Sequence, residues 1–274
     1  MNRNSPPRTQ TAIRPADSDP NPMFIGWAKA PPVDRRFLLG LLPLGVAGLG
    51  GLSYALASQL DDPGAGSWNT GTLHTVTGLY GTRPYPHLLV PDPGKPGGAQ
   101  TVLVVTEGKC TQVLRTDTPE PYRPVTARGV LIERKDRQML EVPPLLNDWI
   151  EDDTSLPPAF IAAQQKREAS PMGAVRVRGT IMDSKCFFGV MRPARGRTHK
   201  ACASLCIRGG IPPCFWVRDK TGNEQVLLMT MRDGTAMPDD ILPLVADPVG
   251  VNGTLVRVGD LLHLRADVDD FYRL

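Results

Sequence analysis

The sequence predicts a mainly β protein: an N-terminal transmembrane helix followed by two tandem small OB-like β-barrels, the second carrying a short Cys/His-bearing helix. Three observations predict this. One run of 24 residues near the N-terminus holds no charge. Apolar β-type runs recur in the same order in two halves of the remaining chain. About one residue in five is proline or glycine, and only 6% are aromatic, which favours short strands and many turns over long helices.

The uncharged run extends from Phe37 to Leu60 and follows Arg35-Arg36, with Asp61-Asp62 behind it. At about 1.5 Å per residue it is long enough to cross a hydrocarbon core of about 30 Å. Positive residues stay on the cytoplasmic side, so the expected orientation is N-terminus inside and body outside, in a bacterial inner membrane facing the periplasm. A cleaved signal peptide, with Ala55-Leu56-Ala57 as the processing site, and a buried helix are the alternatives. The arginine pair lacks the spacing of a twin-arginine signal. Residues 1–36 carry six basic and three acidic side chains, the whole net charge of +3, so the remainder is neutral. A neutral body argues against nucleic-acid binding, which needs clustered positive charge. Proline and polar residues make 1–36 read as a flexible cytoplasmic tail, in which Met23-Phe24-Ile25-Gly26-Trp27 is a passive tether or an interfacial contact.

In the first repeat, 75–79, 101–105 and 125–132 read as strands, with 139–142 returning; in the second, 175–181, 225–229 and 249–256 do, with 261–264 returning. Each repeat has V-x-x-x-G in its late strand, at Val125–Gly129 and Val249–Gly253. Glycine inside a strand marks a sharp bend or bulge, the device by which a small barrel turns a corner. A single β-sandwich is the alternative. The division is a tail over 1–36, a transmembrane helix over 37–60, a first OB-like unit over 61–142, a linker with a short helix from Pro158 over 143–171, and a second OB-like unit over 172–274. The linker includes Leu145-Leu146-Asn147-Asp148-Trp149-Ile150.

Four of the five cysteines, Cys186, Cys202, Cys206 and Cys214, fall in a window of 29 residues that also holds His199. Thr198 as N-cap and Gly209 as stop predict a helix over His199–Arg208, with His199, Cys202 and Cys206 along one face. Three chemistries fit. Disulfides would be structural, joining the helix to Cys186 or Cys214, because i, i+4 cysteines on one helix are poorly aligned for bridging each other. A metal site would use Cys186, His199, Cys202 and Cys206 for Zn or Cu(I). A reactive thiol would be activated by the surrounding Lys185, Arg192, Arg195, Arg197, Lys200 and Arg208. No c-type haem is expected without C-x-x-C-H.

The residues Gly179, Asp183, Lys185, Cys186, His199, Cys202, Ala203, Cys206, Gly209, Gly210, Pro212 and Pro213 resemble the signature G-x-x-x-D-x-K-C, H-x-x-C-A-x-x-C, G-G-x-P-P of uncharacterised bacterial exported, membrane-anchored proteins. Pro84-Tyr85-Pro86 and the Gly108-Lys109 turn resemble the same group. The resemblance implies a small β-barrel outside the cytoplasm and brings no activity with it; Cys110 and Cys214 lie outside its pattern. Pro84-Tyr85-Pro86-His87 reads as a rigid turn, packed or lining a groove between the barrels, and His74 and His263 as structural. With no acid/base pair, nucleophile elbow, phosphate loop or dinucleotide fingerprint, an enzyme is the lesser expectation. The expected function is a non-catalytic, membrane-anchored binding or assembly subunit of the cell envelope, its cysteine cluster mainly structural. It would contact inner-membrane lipid and an envelope protein. The alternative is a periplasmic redox or metal-handling protein that uses the cluster directly.

Overall fold

The computed structural model describes residues 32–58, 66–109, 122–143, 148–189, 191, 194–218 and 221–274. The expectations for residues 1–31, Leu145-Leu146-Asn147, Cys110 and Arg192 lie outside these. The first element is α1 (Pro32–Ser58), which opens on a proline suited to the first helical turn and starts ahead of Phe37. Its Asp34–Ser58 portion is long and apolar enough to cross a membrane, and none of its apolar window is buried inside the protein.

The remainder forms two sheets that each close on themselves. In the first, β1 (Ser67–Trp68), β2 (His74–Gly81), β3 (His87–Pro91), β4 (Ala99–Thr106), β5 (Arg123–Arg134), β6 (Arg137–Val142) and β7 (Ile150–Asp152) are joined. The closed ring runs β2-β3-β4-β6-β5 and back to β2, with β4 and β6 parallel and the other ring pairs antiparallel. After α2 (Pro158–Gln165) and β8 (Ser170–Asp183) come α3 (Ser184–Phe188) and α4 (Lys200–Arg208). Next are β9 (Pro213–Arg218), β10 (Glu224–Thr230), β11 (Pro248–Val258), β12 (Leu261–Arg265) and β13 (Phe271–Arg273). The second ring, β8-β9-β10-β12-β11 and back to β8, repeats the first strand for strand, including the parallel third and fifth members β10 and β12. This is the five-stranded OB topology twice over.

The glycine of each V-x-x-x-G marks the corner of its barrel. β5 pairs with β2 up to Gly129 and with β6 from Val130 onward. In β11, pairing with β12 begins at Thr254, directly after Gly253. At both corners the backbones approach too closely for a side chain: a Cβ on Gly129 would stand 2.5 Å from the Glu141 carbonyl oxygen, and one on Gly253 2.8 Å from that of Arg265. Gly129→Ala and Gly253→Ala should therefore each destabilise the fold by about 1–3 kcal/mol in chemical denaturation, the range for forced overpacking. Wild-type stability in both variants would remove this account of barrel closure.

The run Val102-Leu103-Val104-Val105 does not alternate because both of its faces are buried. Val102 and Val104 join Tyr80, Leu88 and Leu140 inside the first barrel. Leu103 and Val105 face outward into a second core shared with Met182, Phe187, Ile211 and Leu228 of the second barrel. The same division splits β10, where Leu227 and Met229 fill the second barrel and Leu228 faces the shared core. The 143–171 stretch, expected as a structured linker able to pack against the barrels, makes contacts with them. Its β7 pairs with β5, Gln164 Nε2 donates to the Gly97 carbonyl at 2.9 Å, and Arg167 Nη2 donates to Thr101 Oγ1 and the Val258 carbonyl.

Candidate functional site

The cysteine cluster is built on the end of β8. Asp183, fully buried, accepts the Cys186 backbone N–H at 2.7 Å through Oδ1 and so caps α3. Its Oδ2 lies 3.0 Å from His199 Nε2. Cys186 follows one turn into α3, while Cys202 and Cys206 stand four residues apart on α4. The expected helix stops at Gly209, whose N–H returns to the Leu205 and Ile207 carbonyls. Its start differs. Arg197–His199 is a 3-10 turn, His199 occupies the N-cap position without a side-chain cap bond, and Thr198 does not cap.

The sulfurs of Cys186, Cys202 and Cys206 lie within 4.8 Å of one another, and none of the four described cysteines is bridged. Thiolates around a Zn ion at about 2.3 Å stand roughly 3.8 Å apart, so only a small contraction separates this triangle from a coordination shell. His199 does not complete it. Its ring groups with Asp183 and Cys186 as a second set within 4.8 Å, the Cys186 sulfur being common to both. Cys214, on β9 opposite Met182, belongs to neither set and is wholly buried. Burial pushes its thiol far up, so it is chemically quiet.

The cation on the sulfurs comes from the first barrel. Lys109 Nζ donates to Cys202 Sγ at 2.7 Å and to Cys206 Sγ at 3.4 Å. A hydrogen bond from the Cys186 thiol, reinforced by Lys109, lowers Cys206 to about 7 against the desolvating effect of its burial. Cys186 is driven upward, first by donating that hydrogen bond and then by burial. The cluster thus holds one thiol, Cys186, hydrogen-bonded to the preferred thiolate, Cys206. A lysine that keeps its charge offsets that thiolate, since the contact with Cys202 raises Lys109 above its ordinary range.

The cations expected to activate the cysteines are engaged elsewhere. Arg195 lies over the Trp216 ring at 4.1 Å, Lys200 Nζ pairs with Asp247 at 2.8 Å, Arg197 is exposed near Asp247, and Arg208 stands 4.0 Å from Asp239. Lys185 turns away altogether. Its buried ammonium pairs with Glu141 Oε1 at 2.5 Å and donates to the Thr106 and Gly108 carbonyls at 2.7 and 3.0 Å. Trp68 Nε1 donates to the other Glu141 oxygen at 2.7 Å. Lys185 therefore fixes the loop that carries Lys109, and so positions the cation that touches the sulfurs.

Of the other singled-out residues, Tyr85 is packed: its hydroxyl donates to the Met229 carbonyl at 2.8 Å and accepts the Met237 N–H at 2.9 Å. His87 and His263 are buried on the wall of a cavity at the barrel junction, and His74 is a half-buried residue of β2. No protein-family model matches the chain, and no curated protein matches it.

Proposed function

We propose that the protein is a single-pass inner-membrane protein of the bacterial envelope that holds a thiophilic metal ion, Zn or Cu(I), on Cys186, Cys202 and Cys206. The observation that carries this reading is the unbridged triangle of sulfurs within 4.8 Å. Soft sulfur ligands suit Cu(I) and Zn, and three of them leave an open position for a fourth ligand or a transfer partner. Lys109 already neutralises the triangle, so metal entry displaces its ammonium toward solvent, where the exposed side chain has room. In this reading Arg35-Arg36 hold the N-terminus in the cytoplasm, α1 contacts lipid, and both barrels face the periplasm with an envelope protein as partner.

A second reading is favoured by the direct Cys186–Cys206 hydrogen bond: the cluster serves as a structural staple of an assembly subunit, Cys186 and Cys206 closing to a disulfide in the oxidising compartment. Metal analysis with free-thiol counting on full-length protein, purified anaerobically in detergent, separates the two. The metal reading expects about one ion per chain, lost in Cys202→Ser while circular dichroism stays unchanged. Stoichiometric bridging of Cys186 to Cys206 without metal would establish the structural staple instead.

A further inference from the structure

Two donor sets meet at one sulfur. Cys186 belongs both to the triangle with Cys202 and Cys206 and to a second set with Asp183 and His199, whose ligand atoms also lie within 4.8 Å of one another. The second set is the deeper one: Asp183 is fully buried, and Cys186 and His199 are 5% and 4% exposed. Asp183 Oδ1 accepts the Cys186 N–H at 2.7 Å, the kind of support that orients a ligating carboxylate. Its Oδ2 is left facing His199 Nε2 at 3.0 Å. An oxygen and a nitrogen bound tetrahedrally to one Zn ion at about 2.0–2.2 Å stand roughly 3.3–3.4 Å apart. Exchange of the hydrogen-bonding proton for a metal ion therefore needs this pair to open by only about 0.3–0.4 Å.

We propose that Asp183, Cys186 and His199 form a second metal site, and that the Cys186 thiolate bridges it to the ion on Cys202 and Cys206; this rests on the metal reading above. A sulfur that binds two ions at about 2.3 Å each holds them roughly 3.5–4 Å apart, the spacing usual in two-metal sites. The shared set also selects the metal. A carboxylate ligand suits Zn better than Cu(I). As ligands, the three thiolates and the carboxylate carry four negative charges, which two Zn(II) ions neutralise and two Cu(I) ions only half compensate. The second ion is the weaker bound, because its site gives up the Asp183–His199 hydrogen bond and takes only a share of the Cys186 sulfur. It loads after the first, when Zn(II) is in excess. Three protein donors on each ion leave each an open position.

Anaerobic titration of the full-length, chelator-stripped protein in detergent tests this, with Co(II) as the paramagnetic stand-in for Zn(II). Bound metal is counted at each step and electron paramagnetic resonance is recorded. The first equivalent should give a high-spin Co(II) signal, and the second should remove most of it, because a bridging thiolate couples the two spins. His199→Gln, whose amide can still donate to Asp183, should bind a single equivalent whose signal further Co(II) leaves intact. Saturation of the wild-type chain at one equivalent would overturn the second site and leave the sulfur site standing. So would a second equivalent that adds to the signal, or a His199→Gln variant that still takes two coupled ions. No binding at all would remove both sites. If His199→Gln fails to fold, the wild-type titration still decides.

Discussion

Lys185→Met should lower the stability of the protein by about 3–5 kcal/mol, the cost typical of removing one partner from a buried ion pair. The side chains of Lys185 and Glu141 are 3% and 5% exposed. With the ammonium gone, Glu141 keeps the Trp68 indole as donor, and the Thr106 and Gly108 carbonyls lose the contact with Lys185. The double variant Lys185→Met, Glu141→Gln should recover most of the loss, because a neutral amide at 141 no longer strands a charge in a low-dielectric interior. Denaturant titration of both variants measures the difference. A single variant as stable as the double would mean that no charge is stranded at Glu141 and that the pair does not join the barrels. A second consequence distinguishes this pin from ordinary packing. Loss of Lys185 frees the Thr106–Lys109 loop, so iodoacetamide should alkylate Cys206 more slowly near pH 7 as Lys109 drifts from its sulfur.

The parts of the fold that were legible in the sequence are those set by local pattern. V-x-x-x-G located both corner strands because the backbone contact that excludes a Cβ lies within a hairpin, between Gly129 and Glu141 and between Gly253 and Arg265. Strands β3 and β9 were not anticipated. One follows the Pro84-Tyr85-Pro86 turn and the other opens on Pro213-Cys214, and each is short and largely buried, so neither carries the alternation that announces a half-exposed strand. The cysteine cluster was legible in part for the same reason. The i, i+4 spacing of Cys202 and Cys206 is local, whereas Lys109 meets them from 93 and 97 residues away. Nor does spacing show where a long side chain points. Lys185, next to Cys186 in sequence, reads as its activator, yet the strongest available acceptor is Glu141 on the other barrel, and the ammonium goes there. His199 is the complementary case. Periodicity places it in line with the cysteines, but the helix begins one residue later and the imidazole is taken by Asp183.

Stability should also fall steeply on mild acidification. Burial holds His87 down to about 4, the Tyr85 carbonyl only partly opposing it, and burial with Arg265, His87, Arg167 and Arg137 nearby holds His263 down to about 3. Both imidazoles ionise near 6.5 in the unfolded chain. Below that pH the unfolded state takes up protons that the folded state refuses, so the folded state is favoured fully above 6.5 and loses ground as pH falls toward 4. Well below pH 6.5 each further unit costs about 1.4 kcal/mol per histidine, and because the curve bends only gradually at 6.5 the pair loses roughly 4 kcal/mol between pH 6.5 and 4.5. Asp153, Asp233 and Asp247 are held below their ordinary values and pull in the same direction, but only near and below pH 4. The interval from 6.5 to 5 therefore reports chiefly on the imidazoles. Denaturation midpoints at pH 7, 6, 5 and 4.5 should decline through that interval, and His263→Phe should roughly halve the slope while leaving the low-pH collapse intact. A flat profile down to pH 4.5 would place water, and with it two freely protonating histidines, at the junction of the barrels.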